Sequence, residues 1–216
     1  MTLAPLSWDA WQALVLTPPN WLIPGLLEKG GGGLVHGGAR SYKSFLMLQL
    51  CLDLAAGQSV LGIFPPQPAQ CTLMFQAEGT KRAWQQRMVN LRSFYPPGIP
   101  FWSRHVATEK LDSPAGDMRM RVALTTIQPS LLVLDPIAEF LHGTDTDAVA
   151  VQRWTAVVNG WRETFGCAVV LVHHDRQRLQ FALKGSLTTL DAGMDEARGH
   201  TRLPAWADWV VGMRRK

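Results

Sequence analysis

Gly37-Gly38-Ala39-Arg40-Ser41-Tyr42-Lys43-Ser44 lies between an apolar run, Gly33 to His36, and a helical pattern, Lys43 to Ala56, and its reading decides the rest of the chain. A strand that turns through glycines into a helix opening with Lys-Ser nearly matches the spacing G-x-x-x-x-G-K-[ST] of a phosphate-binding loop. That spacing serves a definite chemistry. Backbone N–H groups in a tight turn point at phosphates, a lysine reaches the β and γ oxygens, and a hydroxyl binds Mg²⁺, all at a helix N-terminus. Gly37, Lys43 and Ser44 meet those needs, and Gly38, Ala39, Arg40, Ser41 and Tyr42 complete the cradle. Tyr42 stands in the place of the second glycine. If that site needs positive φ a tyrosine is strained there; otherwise its ring need only turn away from the nucleotide. The bland alternative is a glycine-rich turn with an incidental Lys-Ser.

Outward from this loop, prolines and glycines divide the chain into short apolar runs and longer helical patterns, the arrangement of a parallel sheet covered by helices. The expected class is α/β, with a mostly parallel central sheet flanked by helices. Strands are expected at Gln70 to Gln76, Phe101 to Ser103, Leu131 to Leu134 and Cys167 to Val172. The last two are apolar throughout, as strands buried on both faces should be. Helices are expected at Lys43 to Ala56, stopped by Gly57, at Thr80 to Arg92, around Gly116 to Ile127, and at Thr146 to Phe165 with Gly166 behind it. The second of these carries Trp84, Met88 and Leu91 on one face. Gln177 to Ala197 has no clean period and reads as a loop, while Ala205 to Met213 fits either a short helix or a final strand.

Three further elements carry chemistry. Asp135 ends the run Leu131 to Leu134, where a Walker B carboxylate would orient the Mg²⁺ shell at the carboxyl edge of a sheet. Glu78 follows the strand Gln70 to Gln76, where a carboxylate beside the γ-phosphate can act as general base on a water, or merely favour a helix dipole. His173 and His174 end the strand Cys167 to Val172, and one of them can hydrogen-bond a γ-phosphate. Neighbours on a strand point to opposite faces, so the pair is a poor metal site and one of the two is structural, with Asp175 able to cap or pair with either.

Length and composition set the limits. With 216 residues, 47% hydrophobic and 18% charged, the chain is a single globular domain, residues 1–216, and not a disordered one. Its longest apolar candidate, Phe45 to Ala56, is broken by Gln49 and Asp53 and falls short of the roughly 18 residues a membrane helix needs. The three cysteines, Cys51, Cys71 and Cys167, are widely spaced inside apolar runs, which fits buried thiols in a reducing cytoplasm. The net charge of +4 is unevenly placed. Residues 1 to 175 hold 13 basic and 13 acidic side chains, whereas 176 to 216 hold eight basic and four acidic ones. Such an excess fits a surface facing phosphate, or simply a solvated tail.

The loop, Leu132-Val133-Leu134-Asp135-Pro136, the strand Gly166 to His174 and the elements Arg198-Gly199-His200-Thr201 and Ala207-Asp208-Trp209-Val210 together resemble the RecA-like ATPases similar to RepA, the hexameric replicative helicases of plasmids, phages and mobile elements. Trp21 to Leu27 is similar to that family's lead-in, placed within residues 1–28. The resemblance implies ATP and Mg²⁺ as cofactors. It implies Lys43 and Ser44 as phosphate and metal ligands, Asp135 as the Walker B acid, Glu78 as the catalytic base and His174, ahead of His173, as the γ-phosphate sensor. It implies a homo-oligomer, a ring such as a hexamer or a filament, in which an arginine from the neighbour completes the site. Arg198 is the match, with Lys184 the competitor. It also places nucleic-acid loops in a mobile basic segment, 175–198, holding Arg176, Arg178 and Lys184, and so implies DNA, single-stranded, as partner, with no membrane. The leading expectation is a helicase-like ATPase of replication or recombination. A nucleotide-gated assembly or loading factor with slow or absent hydrolysis is the alternative, and a small-molecule kinase is disfavoured by the lack of a lid segment.

Overall fold

The computed structural model describes residues 5–15, 18–106, 109–145, 147–174 and 202–214. Its centre is a six-stranded sheet of β3 (Gly32–Gly37), β4 (Thr72–Gln76), β5 (Phe101–His105), β6 (Leu131–Asp135), β7 (Ala168–His174) and β8 (Trp209–Met213). The spatial order is β5-β4-β6-β7-β3-β8, and every pairing is parallel. The α/β expectation therefore holds. β6 and β7 sit in the middle with every residue buried except His174, which explains their unbroken apolar sequences.

Helices cover both faces. On one side α2 (Lys43–Ala56) and α3 (Lys81–Leu91) close over Val35, Met74, Val133, Val170 and Val172. On the other, α4 (Pro114–Ile127) and α5 (Ala148–Phe165) close over Leu34, Leu73, Leu132, Val169 and Leu171. The expected helix bounds agree closely because their ends are chemically marked. The side chains of Thr80, Ser113 and Asp147 cap α3, α4 and α5, and Gly57 and Gly166 close α2 and α5. Trp154 and Trp161 anchor the second face, wholly buried and edge to face at 5.9 Å between ring centroids.

Three differences from expectation appear. The lead-in contains a short helix, α1 (Trp8–Gln12), and an antiparallel ribbon of β1 (Trp21–Ile23) with β2 (Leu27–Glu28), which drops Leu22, Ile23 and Leu27 into the α2-side core. The ambiguous stretch 205–213 belongs to both candidate elements, a short helix α6 (Arg202–Trp206) and then β8. Cys71 is only partly buried, whereas Cys51 and Cys167 are enclosed; burial raises all three thiols, that of Cys167 to about 12.

β8 docks on β3 by alternating large and small residues. Gly33 pairs with Trp209, and His36 with Gly212. A Cβ on Gly33 would lie 2.3 Å from the Trp209 ring, and one on Gly212 would lie 3.0 Å from the His36 ring. Asp208 fixes the entry to β8: its carboxylate accepts from Gly32 N at 2.6 Å and from Arg162 at 3.0 Å. Among the described residues no helix is long and apolar enough to cross a membrane.

Candidate active site

Parallel strands deliver their C-terminal ends to one edge, where Lys43, Ser44, Glu78, Asp135, His173 and His174 lie. β3 ends in Gly37, which opens the phosphate loop. A Cβ at this position would lie 2.3 Å from the Met213 carbonyl of β8, so only glycine permits the close approach. Arg40 and Tyr42 both take left-handed backbone, φ 60° and 66°. Position 42 thus does need positive φ, and the tyrosine carries the strain there. Its ring also turns outward, 61% exposed, against Phe45 at 6.2 Å, and Arg87 of α3 stacks on the far ring at 4.4 Å. Tyr42 is the N-cap residue of α2 and gives no side-chain cap. The first N–H groups of that helix remain donors toward the loop.

Lys43 is buried, and its ammonium lies inside the turn. Nζ donates to Gly37 O and Gly38 O, both at 2.8 Å, and to Ser41 Oγ at 3.3 Å. Ser44, one residue on, reaches toward the end of β6. There Asp135 is fully buried, and neither carboxylate oxygen has a hydrogen-bond partner. Burial raises its pKa and Glu78 adds to the rise; Ser44, His174 and Lys43 oppose it, the serine hydroxyl from close by without meeting hydrogen-bond geometry.

Glu78, just beyond β4, has the opposite environment. Its Oε1 lies 2.7 Å from Nε2 of His174 at the end of β7. That contact, reinforced by the charges of His174 and Lys43, outweighs partial burial and lowers the carboxyl pKa. The carboxylate is ionised at neutral pH and able to accept a proton.

The two histidines separate as strand geometry requires. His174 faces α2 and Glu78, while His173, almost fully buried, faces the other side with Nε2 2.8 Å from Asp145 Oδ2. The partner of His173 is therefore Asp145, from the segment between β6 and α5; Asp175 lies outside the described residues. So do Arg176, Arg178, Lys184 and Arg198, and with them the basic segment 175–198. Sequence reading passed over Asp145 and Gln76. Gln76 is the register neighbour of Asp135, and its buried Oε1 also lacks a partner. A polar residue ending an otherwise apolar strand was the available signal for it.

The donor set fits a triphosphate with Mg²⁺. Asp135 offers two unsatisfied buried oxygens, Ser44 a hydroxyl beside them and Lys43 a cation in the turn. One carboxylate and one hydroxyl suit a hard cation that keeps its remaining ligands from phosphate and water, and among the described residues no cluster of three His, Cys, Asp or Glu side chains forms a protein cage. A phosphate loop, a strand-end acid and a second acid held by histidine at one sheet edge define a P-loop ATPase core. Comparison with protein families agrees: the model of the AAA domain family matches residues 2–180, and the chain belongs to that family. No curated protein matches the chain.

Proposed function

We propose that the protein is a Mg²⁺-dependent, ATP-hydrolysing RecA-like motor of the RepA helicase kind, acting on single-stranded DNA in replication or recombination and assembled head to tail as a hexameric ring or a filament. The observation that supports it most is the convergence of Lys43, Ser44, Glu78, Asp135 and His174 on one sheet edge. In this reading Lys43 and the first N–H groups of α2 hold the β and γ phosphates, and Ser44 and Asp135 hold the metal. Bound Mg²⁺ would neutralise charge on the phosphates. Glu78 takes the proton of the attacking water, and His174, touching Glu78 on one side, contacts the γ-phosphate. Arg198 of an adjacent copy would complete the charge stabilisation, which makes hydrolysis depend on assembly. The excess of basic residues after position 175 supports contact with a polyanion.

The test is steady-state ATP turnover by wild type, Lys43→Ala and Glu78→Gln, with and without single-stranded DNA, beside mass measurement with a non-hydrolysable nucleotide. Glu78→Gln should lose roughly 10²- to 10⁴-fold in turnover and keep nucleotide binding. Lys43→Ala should lose both, and Arg198→Ala should lose turnover alone. Undiminished turnover in Lys43→Ala would remove the site assignment. Nucleotide-dependent assembly without turnover would replace the motor with a loading factor.

A further inference from the structure

A groove of about 590 Å³ opens beside β5, at the carboxyl edge of the sheet and one strand beyond β4 from the phosphate loop. Arg104, His105, Glu109, Lys110, Arg119 and His142 contribute to its lining. Three of these are permanent cations and one is an acid, so the lining is net positive. The acid is used to hold cations in place. Nε of Arg119 donates to Glu109 Oε1, and Arg104 lies 3.9 Å from Oε2. Glu109 is 16% exposed, whereas Arg104 and Arg119 are 62% and 56% exposed. Arg119 is thus oriented by a charge-assisted hydrogen bond, Arg104 is drawn toward the same acid without a hydrogen bond to it, and both guanidinium groups stay exposed, each the planar fork that recognises phosphate oxygens. Lys110 is fixed as well, donating to the carbonyls of Ala138 and Glu139 at 3.2 Å.

An aromatic platform adjoins these cations. Ser103 turns toward α3, where it accepts from the Trp84 indole, so its strand neighbours Trp102 and Arg104 share the opposite face. Trp102 is 55% exposed, on the strand that forms the edge of the sheet among the described residues. An indole and a guanidinium two residues apart lie roughly 7 Å from each other along the strand. Cations tracking a backbone beside an aromatic face are the means by which proteins bind single strands without reading sequence.

We propose that this groove is a second phosphate site, distinct from the nucleotide site, which holds the sugar-phosphate backbone of single-stranded nucleic acid on Arg104 and Arg119 with a base stacked on Trp102. The proposal rests on the nucleic-acid reading above. A neighbouring copy's nucleoside triphosphate offers the same charges and a base of its own, and the experiment below separates the two.

The experiment is fluorescence anisotropy of labelled oligo(dT) across a salt series, with DNA-free ATP turnover measured on the same samples. Arg104→Ala/Arg119→Ala should weaken binding about tenfold or more and flatten the log–log salt slope by roughly 0.7 for each arginine removed. Trp102→Ala should weaken binding about fivefold or more with the salt slope unchanged, because stacking releases no counterions. DNA-free turnover should stay at the wild-type level in both. All three side chains are well exposed, and melting curves verify folding. Unchanged affinity and slope in both variants, with wild type binding oligo(dT), would overturn this site and leave the proposed function standing. Loss of turnover with intact DNA binding would assign the arginines to a neighbour's nucleotide instead. No binding of oligo(dT) by wild type would bring down the nucleic-acid reading itself, and this site with it.

Discussion

His174 and His173 are consecutive at the end of β7, yet they serve regions of opposite character. His174, 31% exposed, meets Glu78 on the side of the phosphate loop, where Asp135 stays buried with neither oxygen satisfied and Tyr42 sits at φ 66°. His173, 1% exposed, meets Asp145 on the side of α4 and α5, a face sealed by Trp154 and Trp161. The α2 side carries a buried carboxyl without hydrogen-bond partners and a strained backbone, and the other side carries the packing that holds them in place. One side leaves its buried carboxyl open toward the phosphate loop; the other is closed over by packed aromatic rings. A shift at the end of β7 would register on both, since a single peptide unit joins the two histidines.

Asp135→Asn should show the largest effect. Turnover with Mg²⁺ should fall about a hundredfold or more, since several kcal/mol of charge stabilisation depend on the carboxylate. The same substitution exchanges a buried carboxyl that has no hydrogen-bond partner for a neutral amide, so the melting temperature should hold or rise by a few degrees. A large fall in melting temperature with turnover intact would reverse the assignment of the two faces.

Exchange of the two histidines sharpens the contrast. His173→Ala should cost about 2 kcal/mol, or roughly 4 to 8 °C, through a lost polar contact and a cavity under the sheet. His174→Ala should cost much less stability and lower turnover by roughly tenfold to a hundredfold. Parallel melting and turnover assays on the two variants check this, and equal loss of both properties in both variants would erase the distinction.

The two carboxylates should also respond to pH with opposite sign. Glu78 has a lowered pKa in the folded protein, so the stability it contributes is present above its ordinary value and lost as pH falls through the depressed one. Asp135 has a raised pKa, so its contribution is present in acid and lost as pH rises through the elevated one. Melting temperature against pH for wild type, Glu78→Gln and Asp135→Asn should show the acid limb flattened in the first variant and the loss toward neutrality relieved in the second. The smallest effect belongs to Tyr42→Gly. Release of left-handed strain, less the entropy of a new glycine, should raise stability by up to about 1 kcal/mol, measured by denaturant unfolding.

Much of this comparison is legible in the sequence where a local rule governs it. An apolar run with no period, such as Leu131 to Leu134, reads as a central strand, and the polar residue that ends it then falls at the ligand edge. Lys43 and Ser44 are legible because spacing and helix start coincide. Asp145 is not, since its bond to His173 spans a helix and a strand and depends on which face each histidine takes. Arg104 and Arg119 are not either: they meet at Glu109 only because β5 lies at the edge and α4 packs beside it. The backbone of Tyr42 was open from sequence alone, and the fold settles it at positive φ.

The docking of β8 on β3 has a temporal meaning. Gly32 and Asp208 are hydrogen-bonded across a sequence separation of 176 residues, and Gly37 takes its place against the carbonyl of Met213. During synthesis the strand that opens the nucleotide cradle therefore leaves the ribosome long before the strand that borders it. Until residues 209–213 have emerged, a nascent chain presents β3 without its outer neighbour, and Gly37 lacks the Met213 carbonyl against which the phosphate loop packs.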